Sequence, residues 1–111
     1  MKTLNIKAII KNDLAVTPED GELIFKLLNT AIDQKNPIEV NFSGLRTVTT
    51  AFLNASIGDL YEKWDSTTLN HFVHLQVNTM TPLQIKKAQS VMENARIKLS
   101  QEEIQKDLGE G

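Results

Sequence analysis

At 111 residues, with 41% hydrophobic and 23% charged side chains, the chain is long enough for one domain with its own core and too short for two. It has no cysteine, which excludes disulfides, thiolate zinc sites and cysteine nucleophiles. The net charge is −2 and the basic residues are scattered, so the electrostatic footprint of a nucleic-acid binder is missing.

No stretch approaches the ~20 apolar residues of a membrane span. The opening "MKTLNIKAIIKND" alternates apolar and polar residues and has no small-residue cleavage site, so it reads as a strand rather than a signal peptide. A cytoplasmic protein without membrane or nucleic-acid partners is the expectation.

Residues 3–10 place Leu4, Ile6, Ala8 and Ile10 on one side and Thr3, Asn5 and Lys7 on the other, the period-two pattern of a half-buried strand. "DLAV" then reads as a short second strand behind the Asn12-Asp13 turn. Thr17-Pro18-Glu19-Asp20 spells a helix start: a cap, a proline at the first helical position and acids in the first turn. Ile24, Leu27, Leu28 and Ala31, with Leu23 and Ile32 beside them, give this first helix a broad apolar stripe. Gly21 costs the helix about 1 kcal/mol against alanine unless it serves a close approach.

"IEVNF" at 38–42 alternates again and reads as a strand. The second long helix is expected from about Thr50 to Trp64, with Leu53, Ile57, Leu60, Tyr61 and Trp64 on its apolar side. Ala51, Ala55 and Gly58 recur on the other side, a face so small that another backbone can approach it, either inside the domain or in a partner. "HFVHLQV" at 71–77 alternates Val73, Leu75 and Val77 against Phe72, His74 and Gln76 and reads as a strand. A third helix follows Thr81-Pro82, with Ile85, Ala88, Val91, Met92, Ala95 and Leu99 inward. Residues 1–99 form the expected single domain. The tail, 100–111, has a capping-box spelling at Ser100 and Glu103 with only Ile104 and Leu108 apolar, a short helix or a frayed end. Strands alternating with helices argue for an α/β fold with parallel crossovers.

Enzyme signatures are missing: there is no Gly-rich phosphate loop, no G-x-S-x-G elbow and no H-E-x-x-H helix. His71 and His74 on one strand point to opposite faces and cannot share a metal. The Lys86-Lys87 pair in "IKKAQ" reads as solvated surface. The corner "SGLRTVTTAFLNASIG", 43–58, is the exception, because ligands of open α/β sheets sit outside the carboxyl end of a strand against a helix start. Thr49 or Thr50 there either caps the helix or serves as an anion site or phospho-acceptor.

The run "IEVNFSGLRTVTTAFLNASIGDLY", with the helix before it and "FVHLQVN" after it, resembles the STAS-like domain of unknown function, related to the STAS domains of sulphate transporters and anti-sigma factor antagonists. The resemblance covers the opening strand and roughly residues 21–99. It implies an α/β, STAS-like small mixed sheet of about four strands with three helices packed on it. It also implies no enzymatic activity and no cofactor.

In the antagonist relatives this corner carries a serine that a histidine-kinase-type ATPase phosphorylates, switching partner binding. Laid on their Asp-Ser-Ser-Gly-Leu turn, Thr49 falls at the aspartate, Thr50 at the first serine, Ala51 at the phosphorylated serine, Phe52 at the glycine and Leu53 at the leucine. The acceptor position is thus an alanine, and Asn41 stands where the relatives often carry aspartate. Thr50, one residue away, can substitute if the turn shifts by one position.

The expectation is therefore a regulatory protein-binding module, monomeric or weakly dimeric, whose partner is a protein such as a histidine-kinase-type ATPase. The contact residues would be Ser43, Gly44, Thr47, Ala51, Phe52, Asn54, Ala55 and Gly58. The alternatives are a sensor of a small phosphate or nucleotide derivative at the same corner, and a homodimeric scaffold built on Trp64, Tyr61 or a sheet edge.

Overall fold

The computed structural model describes the backbone of residues 1–109 and the side chains of residues 1–97. The opening strand, β1 (Lys2–Asn5), is half the expected length, because residues 6–10 turn into a short helix, α1 (Ile6–Ile10). Ile6, Ile9 and Ile10 fit one helical turn as well as Ile6 and Ile10 fit an alternation, and the caps decide between them. Asn5 accepts the Ala8 N–H at 3.0 Å, and Lys11, left-handed at φ 57°, closes the helix by donating to the Lys7 carbonyl.

β2 (Leu14–Ala15) and α2 (Pro18–Asp33) follow as expected, the Thr17 hydroxyl accepting from the Asp20 N–H at 3.1 Å. The buried stripe of α2 is narrower than its sequence suggests. Ile24, Leu28, Ala31 and Ile32 are inside, while Leu23 and Leu27 remain 44% and 42% exposed.

β3 (Ile38–Asn41) is in place, and an unforeseen two-residue strand, β4 (Thr47–Val48), pairs in parallel with β2, Leu14 opposite Thr47 and Ala15 opposite Val48. The helix expected to reach Trp64 is two pieces: α3 (Thr50–Ser56) and a 3₁₀ turn over Gly58–Glu62. The Ser56 hydroxyl turns back onto the Phe52 carbonyl at 2.8 Å, and Gly58 admits Val91, whose Cγ1 would lie 3.2 Å from a Cβ there.

α4 (Ser66–Phe72) was not foreseen either; Asp65 caps it, accepting from the Thr68 N–H at 2.7 Å. It takes His71 and Phe72 out of the expected strand, so β5 spans only Val73–Leu75, and Val77 opens a 3₁₀ turn, Val77–Thr79. α5 (Pro82–Gly109) begins with a reciprocal cap, Thr81 and Gln84 each bonding the other's backbone N–H at 3.1 Å. The expected break at Ser100 is absent from the backbone, which stays helical to Gly109. The roles assigned to the side chains of Leu99, Ser100, Glu103, Ile104 and Leu108 lie outside the described residues.

The α/β class is as expected. In place of one mixed sheet, the described residues form two parallel ones, β1-β3-β5 and β2-β4. Leu4, Ile38 and Val40 line the inner face of the larger sheet and meet Ile24 and Leu28 of α2, Phe52 and Leu53 of α3, and Ala88 and Val91 of α5. The outer face is polar, with Thr3, Glu39 and His74 in register. Among the described residues no helix is long and apolar enough to cross a membrane.

Gly21 sits where α2 meets α3: a Cβ there would lie 2.6 Å from the Phe52 carbonyl oxygen and 2.8 Å from the Ala55 Cβ. Gly21→Ala gains about 1 kcal/mol of helix propensity but forces overpacking that costs about 1–3 kcal/mol. The net expectation is a lower urea midpoint; a raised midpoint would show that α3 yields freely.

Hydrogen bonds from the Thr68 side chain and backbone hold the Asp65 carboxyl below its ordinary value. Its contribution to stability is therefore intact above the unfolded aspartate range and is lost as pH falls through the folded value. Asp65→Asn keeps an acceptor without a titrating charge, so melting temperature against pH should have a shallower acid limb than the wild type.

Candidate functional site

Thr49 occupies the centre of the corner. Its backbone N–H donates to the Ala15 carbonyl at 3.0 Å, its hydroxyl donates to the Val16 carbonyl at 2.9 Å, and the same oxygen accepts the Phe52 N–H at 3.2 Å. One residue thus caps α3 and ties it to the end of β2. Its hydroxyl is engaged as both donor and acceptor, and Thr49 serves as the structural cap of the helix.

The expected contact residues separate by burial. Phe52 is 0% exposed and Gly58 is buried against Val91, so neither presents a surface to a partner. Ala55 is half-buried, its Cβ filling the gap left by Gly21. On the small-residue face, Ala55 and Gly58 therefore serve close packing within the domain, while Ala51 stays at the surface. Tyr61 is buried as well, and Trp64 is half-buried with its indole N–H on Asn29 at 2.9 Å, so the scaffold reading loses these two contacts. Burial also pushes the Tyr61 phenol up, against the opposing charge of Arg96. Ser43, Gly44, Thr47, Thr50, Ala51 and Asn54 are exposed.

These exposed residues fall into separate grooves. Ser43 and Gly44 line an open one of about 730 Å³ with Lys7, Lys11, Asn12 and Asp13. Gly44 is left-handed at φ 81°, and a Cβ on it would meet Lys7 Cδ at 2.9 Å, so glycine answers both the conformation and the contact. Thr50 and Asn54 line a second groove of about 340 Å³, whose other wall is α5 with Lys86, Lys87 and Ser90. Lys87 is anchored there by donating to the Val48 carbonyl at 3.1 Å.

Those lysines are the residues that sequence reasoning set aside as solvated surface. Thr50 and Lys86 lie far apart in the chain, and only the packing of α5 on α3 puts them in one groove. The helix-start anion site expected at the corner is weaker than supposed. α3 has only 7 residues, and Thr49 already takes the Phe52 N–H.

The two histidines do not share a strand: His71 ends α4, and His74 of β5 reaches back to the His71 carbonyl at 2.9 Å. Among the described residues no three His, Cys, Asp or Glu side chains gather as metal ligands.

A family model described as the STAS-like domain of unknown function (DUF4325) matches residues 20–80. The chain belongs to this family. Neither the curated proteins nor the solved structures gave a match. The STAS-like match runs from the start of α2 to the residue before the cap of α5, so it holds the whole corner and leaves Lys86 and Lys87 outside.

Thr49→Val removes the cap and the cross-link without changing shape, and should cost about 1–3 kcal/mol, while Thr49→Ser should keep most of both. Thr50→Ala, at an exposed position, should stay within about 0.5 kcal/mol of wild type. Chemical denaturation of the three variants checks this ordering.

Proposed function

We propose that this STAS-like chain is a cytoplasmic regulatory module that acts by binding a protein partner rather than by catalysis. The partner meets the exposed part of the corner, centred on Thr50, Ala51 and Asn54. One observation carries the reading: Thr50 stands exposed on a frame locked by Thr49, in a groove whose opposite wall supplies Lys86 and Lys87. A phosphate on Thr50 would bring about −1.5 to −2 charges at pH 7 to this groove. The lysines would draw it toward α5 and change the surface that the partner reads. A histidine-kinase-type ATPase is the partner class that the likeness to anti-sigma factor antagonists favours.

The test starts from native co-purification of the tagged chain from its host, with mass spectrometry of what accompanies it. The captured protein is then titrated against Thr50→Asp and Thr50→Ala. Exposed ion pairs are worth about 0.2–1 kcal/mol, so the two affinities should differ by roughly 1.5- to 5-fold. Lys86→Ala should shrink the difference. Equal affinities of the two Thr50 variants would end the switch reading, and an unchanged affinity in Ala51→Arg would place the partner elsewhere.

The same groove supports a second reading, a sensor of small phosphorylated ligands, since about 340 Å³ is within the range of small-molecule sites. A ligand at 100 times its Kd should stabilise the fold by about 2.7 kcal/mol. A flat thermal-shift screen of phosphorylated metabolites removes this reading and leaves the first standing.

A further inference from the structure

The larger sheet ends on an open side. In the order β1-β3-β5, β5 is an edge strand. Alternate residues of a strand in a parallel ladder bond to opposite sides. The Gln76 N–H donates to the Val40 carbonyl at 2.9 Å, so His74 and Gln76 turn their backbone groups to β3, and Val73 and Leu75 turn theirs outward. The Val73 N–H is taken by the Leu69 carbonyl. Leu75 thus carries an N–H and a C=O side by side on the free edge.

Next to that edge, β5 and α5 enclose an apolar groove of about 310 Å³. Val73, Leu75, Ile85 and Met92 are only partly buried in it, and Val77 is 57% exposed. Edge strands are ordinarily guarded by a charge, a proline or a covering segment. Among the described residues its lining has no Asp, Glu, Lys or Arg, in a chain that is 23% charged.

That neutrality selects the occupant. In a two-fold contact the same patch faces itself, so a patch carrying one sign of charge repels itself and a neutral one does not. The polar groups bordering this groove include the amides of Asn70 and Gln89, each both donor and acceptor and therefore able to meet either kind of polar group on a second copy. A charged peptide would find no counter-charge here.

We propose that a second copy of this chain docks antiparallel along β5, with the two-fold axis at Leu75, joining two three-stranded sheets into one of six strands. Each Leu75 N–H then donates to the second copy's Leu75 carbonyl. This brings Val77 of one copy, at the start of its 3₁₀ turn, toward Val73 of the other, so that the exposed valine covers the neighbour's groove. The contact involves only a short edge, and its dimer is concentration-dependent. The surface is separate from the Thr50 groove, so Thr50 variants should dimerise as the wild type does, and failure of either proposal leaves the other intact.

Light scattering and sedimentation of the whole chain from about 10 µM to about 1 mM test this. The mass should rise from 12.5 kDa toward twice that value. Val77→Asp, at an exposed position, should keep the wild-type melting curve and weaken self-association at least about tenfold by pressing a charge against the uncharged groove of the second copy. Leu75→Cys introduces the only thiol in a cysteine-free chain and should give a disulfide-linked dimer on mild oxidation. A mass of 12.5 kDa at every concentration overturns the proposal. So does self-association that Val77→Asp leaves unchanged, or a Leu75→Cys chain that folds, self-associates and does not cross-link.

Discussion

Two backbones touch where α2 crosses α3, and most of the molecule is arranged around that contact. Gly21 brings the start of α2 against the Phe52 carbonyl and the Ala55 methyl, closer than any side chain would permit. α3 is held from its other end by Thr49, which fastens the helix start to the chain leaving β2. With both ends fixed, Phe52 and Leu53 are driven fully into the core between the larger sheet and α2. The cost of a glycine inside a helix is about 1 kcal/mol, and burial of one large apolar side chain is worth about 1.5–3 kcal/mol, so a packing glycine is easily sustained there.

Fixing α3 in this way also decides what the corner can offer. The inward residues are consumed by packing and the Thr49 hydroxyl by capping, so the chemistry left to the surface is that of Thr50, Ala51 and Asn54. Their surroundings come from α5, whose own position follows from the Thr81–Gln84 cap, the Gln84 amide on the Leu45 carbonyl at 3.2 Å and the seat of Val91 against Gly58. Lys87 completes the connection by reaching the Val48 carbonyl. The groove is thus bounded by two elements that are each braced independently.

How far the sequence could be read depended on whether a signal was local. The starts of α2 and α5 were legible because Thr-Pro spells both a cap and a first helical residue. The alternation of Ile38 and Val40 made β3 plain, and the family pattern gave the α/β class and the STAS-like corner. α1 was misread because Ile6 and Ile10 satisfy both periods and only the caps at Asn5 and Lys11 separate them. β4 was invisible, since a two-residue strand exists through pairing with β2 and not through any pattern of its own. α4 had a legible cap in Asp65-Ser66 but only one buried residue, Leu69, to give it periodicity. At the site, Thr49 as cap was readable in sequence; the approach of Lys86 and Lys87 to Thr50 was not, because nothing local encodes which helix lies opposite.

That last point separates the frame from its electrostatics. The family match stops at Met80, and the packing of Gly21 on Phe52 and Ala55 lies inside it, as does Thr49, whose carbonyl partners Ala15 and Val16 lie just before it. The lysines that face Thr50 lie beyond the match, on a helix held mainly through Gln84 and Val91. Changing Lys86 therefore alters the field at Thr50 without touching any residue that positions it, whereas changing Thr49 alters the frame and the field together. On the proposed reading, the corner supplies the geometry of a switch and α5 supplies its sign. On the same reading, the response to a charge at Thr50 depends on α5, which lies outside the family match.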